Sequence, residues 1–179
     1  MEKFYKKEII DGLVIQALPA RTIHSNIVMK IYHKFFNFLQ GNNLDCVVYP
    51  DNMFLFIDDK NRVSPDVMVI CDKSKLTERG YEGVPELVVE VLSRSTVKTD
   101  TIKKLEIYAK LGVKEYWIVD PESKTVKRYE LKDDNYELDD IYYEDVELYI
   151  EDEEYLSKDR FNVYVFPDLE IIVNELFKF

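Results

Sequence analysis

Glu86-Leu87-Val88-Val89-Glu90-Val91-Leu92 is a run whose interior is apolar except for Glu90. A short apolar run of this kind reads as a strand buried on both faces. Glu90 therefore sits where an ionised carboxylate is costly unless it is paired or bound to metal. Two readings of it stand at this point: a strand-end glutamate that faces water or forms an internal ion pair, or a carboxylate that holds a cation.

Working outward, a second apolar run upstream, Ser64-Pro65-Asp66-Val67-Met68-Val69-Ile70, also carries one acid. Proline cannot donate to a strand ladder, so Pro65 marks a strand start, an edge or a bulge, where Asp66 can be re-aimed. Downstream, the pattern predicts a helix over residues 99–111, stopped by Gly112. At helical spacing Lys103, Glu106 and Lys110 form its wet face, and Ile102, Leu105, Tyr108 and Ala109 its core face. Lys104 is the charged residue that leaves the wet face. It either snorkels, pairs structurally with Glu90, or serves chemistry beside it.

Two carboxylates and a lysine suit hydrolysis of a phosphodiester. Asp66 and Glu90 would hold Mg²⁺ or Mn²⁺, hard cations that prefer oxygen ligands and keep several waters. Such a cation lowers the pKa of a bound water and offsets charge on the phosphate. Lys104 would orient the attacking hydroxide and stabilise the developing oxyanion. No zinc spacing, Walker loop, dinucleotide fingerprint or nucleophile elbow competes.

The remaining chain reads as scaffold. Residues 8–17 suggest a strand or hairpin turning at Asp11-Gly12. A helix is expected from about Thr22 to Gln40, with Ile23, Ile27, Ile31, Phe35 and Phe38 on one face. His33 falls on its polar side. His24 falls within the apolar arc, either as a satisfied core histidine or as a residue that reaches the site and binds substrate. Runs at 45–49, 53–57 and 63–70 suggest an antiparallel meander, and 71–84 a charged loop. A strand at Tyr116–Asp120, a turn at Pro121–Lys124 and a strand at 125–131 follow. From Lys132 to Tyr155 an acidic, tyrosine-rich texture suggests a peripheral hairpin, with Glu151–Glu154 as a solvated face, before order returns at 161–177.

The chain has 179 residues, 46% hydrophobic and 13% aromatic, as expected of one folded domain over 1–179 rather than disorder. Cys46 and Cys71 lack paired spacing, so separate thiols and a reduced, cytoplasmic protein are expected. No uncharged apolar run approaches the roughly 20 residues that span a bilayer. The net charge of −11 is uneven: residues 1–130 hold 20 Lys/Arg and 19 Asp/Glu, and residues 131–179 hold 4 and 16. Residues 93–114 carry 6 basic against 2 acidic side chains, a patch that suits a phosphate backbone or simply a solvated helix.

Five segments in order, SPDVMVI, PELVVEVLSRST, KLEIYAKLGVKEYWIVDP, FPDLEIIVNELF and the N-terminal EIIDGLVIQALPARTIHSNIV, resemble the Uma-type family of restriction-endonuclease-like proteins, within the PD-(D/E)XK nuclease superfamily. The resemblance covers nearly the whole chain and is weakest over 132–160. It implies an α/β (α+β) core, a mixed central sheet flanked by helices, with Asp66 and Glu90 as the two signature acids. The usual superfamily lysine lies two residues after the second acid; that place is Leu92 here, and Lys104 on the next helix matches the family's displaced lysine. The function it implies is that of a Mg²⁺-dependent endonuclease acting on DNA as a homodimer. Alternatives are a weak or inactive nuclease-fold module that binds nucleic acid or protein, and an accessory protein whose acidic C-terminal third docks a basic partner.

Overall fold

The computed structural model describes residues 6–17, 21–93, 99–144 and 158–178. In chain order, hairpin β1 (Lys6–Ile10) and β2 (Leu13–Ala17) leads to helix α1 (Thr22–Gly41). Then come β3 (Val47–Pro50), β4 (Leu55–Asp58), β5 (Asn61–Val63) and β6 (Val67–Ile70). Two short strands, β7 (Leu76–Thr77) and β8 (Gly80–Tyr81), precede β9 (Leu87–Val91). A π-helical turn, Thr99–Lys103, runs into α2 (Lys104–Leu111), followed by β10 (Glu115–Asp120), β11 (Thr125–Lys132) and β12 (Asn135–Tyr143). Hairpin β13 (Arg160–Val163) and β14 (Phe166–Ile172) and helix α3 (Val173–Phe177) end the described chain.

The principal sheet has the order β12-β11-β10-β9-β6-β3, with β9 and β10 parallel and its other pairings antiparallel. One face packs on α1 through Ile27, Ile31 and Phe35, and on α3 and the β13–β14 hairpin. The other packs on α2 and on a smaller sheet of order β2-β1-β5-β4-β8-β7. A mixed central sheet flanked by helices is thus what the chain forms. Burial on both faces explains why β9 is wholly apolar apart from Glu90.

Local chemistry sets the elements. Asp11 and Gly12 both take positive φ, 54° and 77°, as the tight turn between β1 and β2 requires. Gly112 ends α2 in the left-handed region at φ 93°, and its amide bonds back to Tyr108 and Ala109. Gly80 is held at φ 149°, where an added Cβ would lie 2.3 Å from the Phe54 carbonyl oxygen.

Four expectations need correction. Residues 45–70 do not form a meander: β4 and β5 belong to the smaller sheet, whereas β3 pairs with β6 in the principal one. The expected strand 63–70 is split by Ser64-Pro65-Asp66, where the chain passes from one sheet to the other. Residues 71–84 hold a 3₁₀ turn and two short strands rather than a plain loop. Cys46 and Cys71 are joined in a disulfide with Cα atoms 4.0 Å apart, because each lies one step beyond the Val47–Ile70 pair of β3 and β6. A bridged pair gives no ground for a reducing compartment. Among the described residues no helix is long and apolar enough to cross a membrane. Of the acidic stretch, Asn135–Tyr143 forms β12, which pairs back on β11 through a turn at Asp133 and Asp134, while residues 145–157, with Glu151–Glu154, lie outside the described residues.

The β13–β14 hairpin is fastened by buried polar groups. Arg128 donates to Asp139 at 2.7 Å, to Glu130 at 3.1 Å and to the Asn162 carbonyl. Glu115 accepts from Trp117 Nε1 at 2.7 Å and from the Val165 amide at 3.0 Å. Burial raises the Glu115 pKa above the ordinary carboxylate value.

Two outcomes follow from this scaffold. Reducing the disulfide, or changing both cysteines to serine, should lower stability in urea by about 3 kcal/mol, because the bridge closes a loop of 25 residues. A carboxyl whose folded pKa is raised favours the folded state most when protonated. The Glu115 contribution should therefore fall as pH rises from its unfolded value near 4.5 through its higher folded value. Glu115→Gln should flatten that part of a stability–pH curve.

Candidate active site

Asp66 and Glu90 lie at one end of the β6–β9 pair. The register sets Met68 opposite Val88 and Val67 opposite Val89, and its next step brings Asp66 opposite Glu90. Side-chain alternation turns both carboxylates to the face shared by Met68, Ile70 and Val88, the face covered by α2 and the smaller sheet. Both are almost fully buried.

Asp66 is fixed by two neighbours. Its Oδ2 accepts from the Val91 amide at 2.8 Å and stands 3.1 Å from His24 Nε2. His24 comes from the first turn of α1, whose remaining buried residues pack on the opposite face of the sheet. It is 8% exposed, and its Nδ1 has no partner among the described residues. Proline at 65 marks the point where the chain leaves the smaller sheet, and the Asp66 carbonyl accepts from the Asp51 amide at 2.8 Å, which anchors its backbone beside β3.

Glu90 is paired from the helix. Its Oε1 accepts from Lys104 Nζ at 2.9 Å and from the Tyr108 hydroxyl at 2.7 Å. Lys104 and Tyr108 are one helical turn apart, so both side chains descend on the same carboxylate. Lys104 is only 1% exposed, and its ammonium also donates to Glu8 Oε1 at 3.0 Å. Glu8 in turn accepts from the Ser64 amide at 2.8 Å, which ties β1 to the point where the chain changes sheets. Burial, and next the charge of Glu90, holds the Tyr108 phenol well above its usual range, so it serves as a proton-bearing donor at ordinary pH.

All four candidates read from sequence, His24, Asp66, Glu90 and Lys104, gather here. They form two hydrogen-bonded groups, His24–Asp66 and Glu90–Lys104, joined through neighbouring residues Glu90 and Val91. Two further participants went unread. Glu8 was read only as part of the N-terminal segment of the family resemblance, with no role, although two-residue alternation places it with buried Ile10 rather than with exposed Lys7. Tyr108 was placed on the core face, but its hydroxyl needed a partner, and Lys104 four residues earlier pointed to Glu90. Ile102, expected in the core, is 50% exposed. The π-helical turn before Lys104 shifts the phase of the helix, a local irregularity often met at functional sites.

The positive patch is thinner than its count suggests. Lys104 is buried, Lys103 pairs with Asp11 at 2.6 Å and Lys114 with Glu86 at 2.6 Å. Arg94 and Lys98 lie outside the described residues. Among the described residues no group of three or more His, Cys, Asp or Glu side chains is arranged as a ready-made metal cage. A donor set of two carboxylates suits Mg²⁺, which takes one or two carboxylates and keeps waters, better than it suits zinc.

A solved structure from Anabaena variabilis, titled as a putative nuclease belonging to DUF820, superposes with a TM-score of 0.70 at 20% identity, covering 96% of this chain and 89% of that one. At that identity the likeness speaks for the fold. An uncharacterized protein of Synechocystis sp. is 30% identical over 131 residues, 72% of this chain and 68% of its own length. Residues 2–157 match the Uma2 family, whose description reads "Putative restriction endonuclease", and the chain is therefore a member of the Uma2 family with a nuclease-type fold.

Proposed function

We propose that this chain is a Mg²⁺-dependent endonuclease that hydrolyses phosphodiester bonds of DNA. The observation that carries the reading is the facing of Asp66 and Glu90 across two neighbouring strands, with Lys104 Nζ 2.9 Å from Glu90. Asp66 and Glu90 would hold the cation, which when bound would supply an acidified water and charge stabilisation at the phosphate. DNA and a second copy of the chain are the partners that this reading carries.

The protein groups divide the remaining work. His24 and the Val91 amide hold Asp66 in one orientation, and Tyr108 and Lys104 do the same for Glu90. Held between two carboxylates, the Lys104 ammonium is aimed in one direction by both of them. A cation so placed orients a water and stabilises negative charge that grows on the scissile phosphate. Glu8 keeps it positioned if Glu90 turns to a metal.

A second reading has one observation in its favour. Lys104 is almost wholly buried and bonded to two carboxylates, as in a structural ion pair, so the module could bind nucleic acid or protein with little cleavage.

Titration calorimetry with Mn²⁺ tests the metal site. One saturable event is expected in the native protein and none in Asp66→Ala or Glu90→Ala; binding that persists in both variants would overturn the assignment. Lysine substitutions separate chemistry from structure. Lys104→Ala leaves two buried carboxylates short of a cation and should lower stability by about 3–5 kcal/mol in urea. Pairing Lys104→Met with Glu8→Gln should recover part of that stability, yet cleavage of supercoiled DNA should stay about 10²–10³-fold below native. Recovery of cleavage together with stability would assign Lys104 to the scaffold alone.

A further inference from the structure

The smaller sheet has a second face. Ile10, Leu55 and Val63 point inward to the core shared with α2 and the principal sheet, so their strand neighbours Ile9, Phe56 and Arg62 point outward. Cross-strand register sets Val14, Ile9, Arg62 and Phe56 in one row, a residue from each of β2, β1, β5 and β4. Val14 is 61% exposed, while Ile9, Phe54 and Phe56 are half-buried and belong to neither core.

Arg62 stands within this row. Its guanidinium carbon lies 4.5 Å from the centroid of the Phe54 ring and 6.0 Å from that of Phe56. Arg79 lies 5.3 Å from the Phe56 centroid, and Gly80 leaves room for that ring, whose Cε2 is 3.1 Å from where a Cβ would stand. Arg62 makes no hydrogen bond or ion pair with any described residue. Of its nitrogens only Nε is both buried and unbonded, so the terminal pair stays open to solvent. Its neighbours across the ladder, Ile9 and Phe56, offer no carboxylate. The nearby acids are engaged elsewhere: Asp58 accepts from the Lys60 amide and from Asn61, and Glu82 meets Arg79 at 3.4 Å. Lys7, two residues before Ile9 on the same face, is exposed.

A guanidinium aimed by aromatic rings, with its outer donors unspent, suits a phosphate. The apolar row beside it suits the faces of bases. A duplex turns its phosphates outward and keeps its bases stacked, so it would leave that row uncovered, whereas a single strand can cover both.

We propose that this outer face is a docking surface for single-stranded DNA, with Arg62 and Arg79 on phosphates and the Phe54, Phe56, Ile9 and Val14 surface against unstacked bases. The proposal rests on the nuclease reading and extends it to the strand that flanks the scissile phosphate. Arg62 precedes Asp66 by four residues, so their Cα atoms are at most about 14 Å apart.

Fluorescence anisotropy with a labelled single strand of about 16 nucleotides tests it in EDTA, without cleavage. Saturable binding is expected, about tenfold tighter than to a duplex of equal length. Arg62→Met keeps a side chain on the rings and removes the charge. It should weaken single-strand binding about tenfold and reduce the slope of log affinity against log salt by roughly 0.7. Urea unfolding checks that the variant folds; if it does not, Arg79→Gln, at an exposed position, should weaken binding in the same direction. No binding by the native protein, or undiminished binding by a folded variant, would overturn the proposal. So would equal affinity for the duplex, or equal competition by poly-glutamate, which would make this a general polyanion surface. Mn²⁺ calorimetry at Asp66 and Glu90 reports on the nuclease reading separately, so either can fail alone.

Discussion

The Lys104 ammonium, buried between Glu8 and Glu90, is the contact on which the architecture of this site depends. A lone buried ammonium would cost several kcal/mol, and either carboxylate alone would cost a similar amount. Together, with the Ser64 amide and the Tyr108 hydroxyl, they satisfy one another. The three charges come from the smaller sheet, the principal sheet and α2, so the neutralisation can happen only when all three layers close. Electrostatics here acts as a registration device more than as a source of net stability, because apolar side chains of similar volume would pack there as well.

The passage at Ser64-Pro65-Asp66 has a comparable double role. The smaller sheet ends at Val63, the principal sheet resumes at Val67, and the three residues between supply an amide to Glu8 and a carboxylate to the site. The candidate site thus draws one acid from a place where one sheet gives way to the other, with a strand on each side. Glu90 contributes in a different way, from within β9, paired with Ile118 of β10 and one step past the last β6 pair. One acid is held by local freedom under tight anchoring, the other by the stiffness of the sheet. Both are then trimmed by hydrogen bonds from helices on opposite faces.

Much of this was legible in the amino-acid sequence, for reasons that differ by residue. Glu90 stood out because a carboxylate inside an apolar strand demands an explanation, and Lys104 because helical periodicity isolates a charge on the wrong face. Helix α1 and its termination at Gly41 and Asn42 followed from periodicity and an end signal. What escaped was non-local. Strand periodicity gives faces but not partners, so nothing announced that 61–63 and 67–70 belong to different sheets. The Cys46–Cys71 bridge arises from cross-strand register and leaves no spacing signature. Glu8 was quoted only as part of a family pattern, because its role exists through contacts 56 and 96 residues away. Ile102 was misplaced because a wheel at constant pitch cannot register a π-turn.

Those long separations bear on the order in which the protein can assemble as it leaves the ribosome. The ammonium partner of Glu8 follows it 96 positions later. Until α2 is available, the β1–β2 hairpin can close locally, but its inward carboxylate has no counter-charge. Synthesis proceeds at about 5–20 residues per second, so Glu8 waits on the order of 5–20 seconds for Lys104. Glu90, 14 positions before Lys104, waits only about 1–3 seconds at that rate. The arrangement therefore becomes complete only when most of the sheet is ready to hold it.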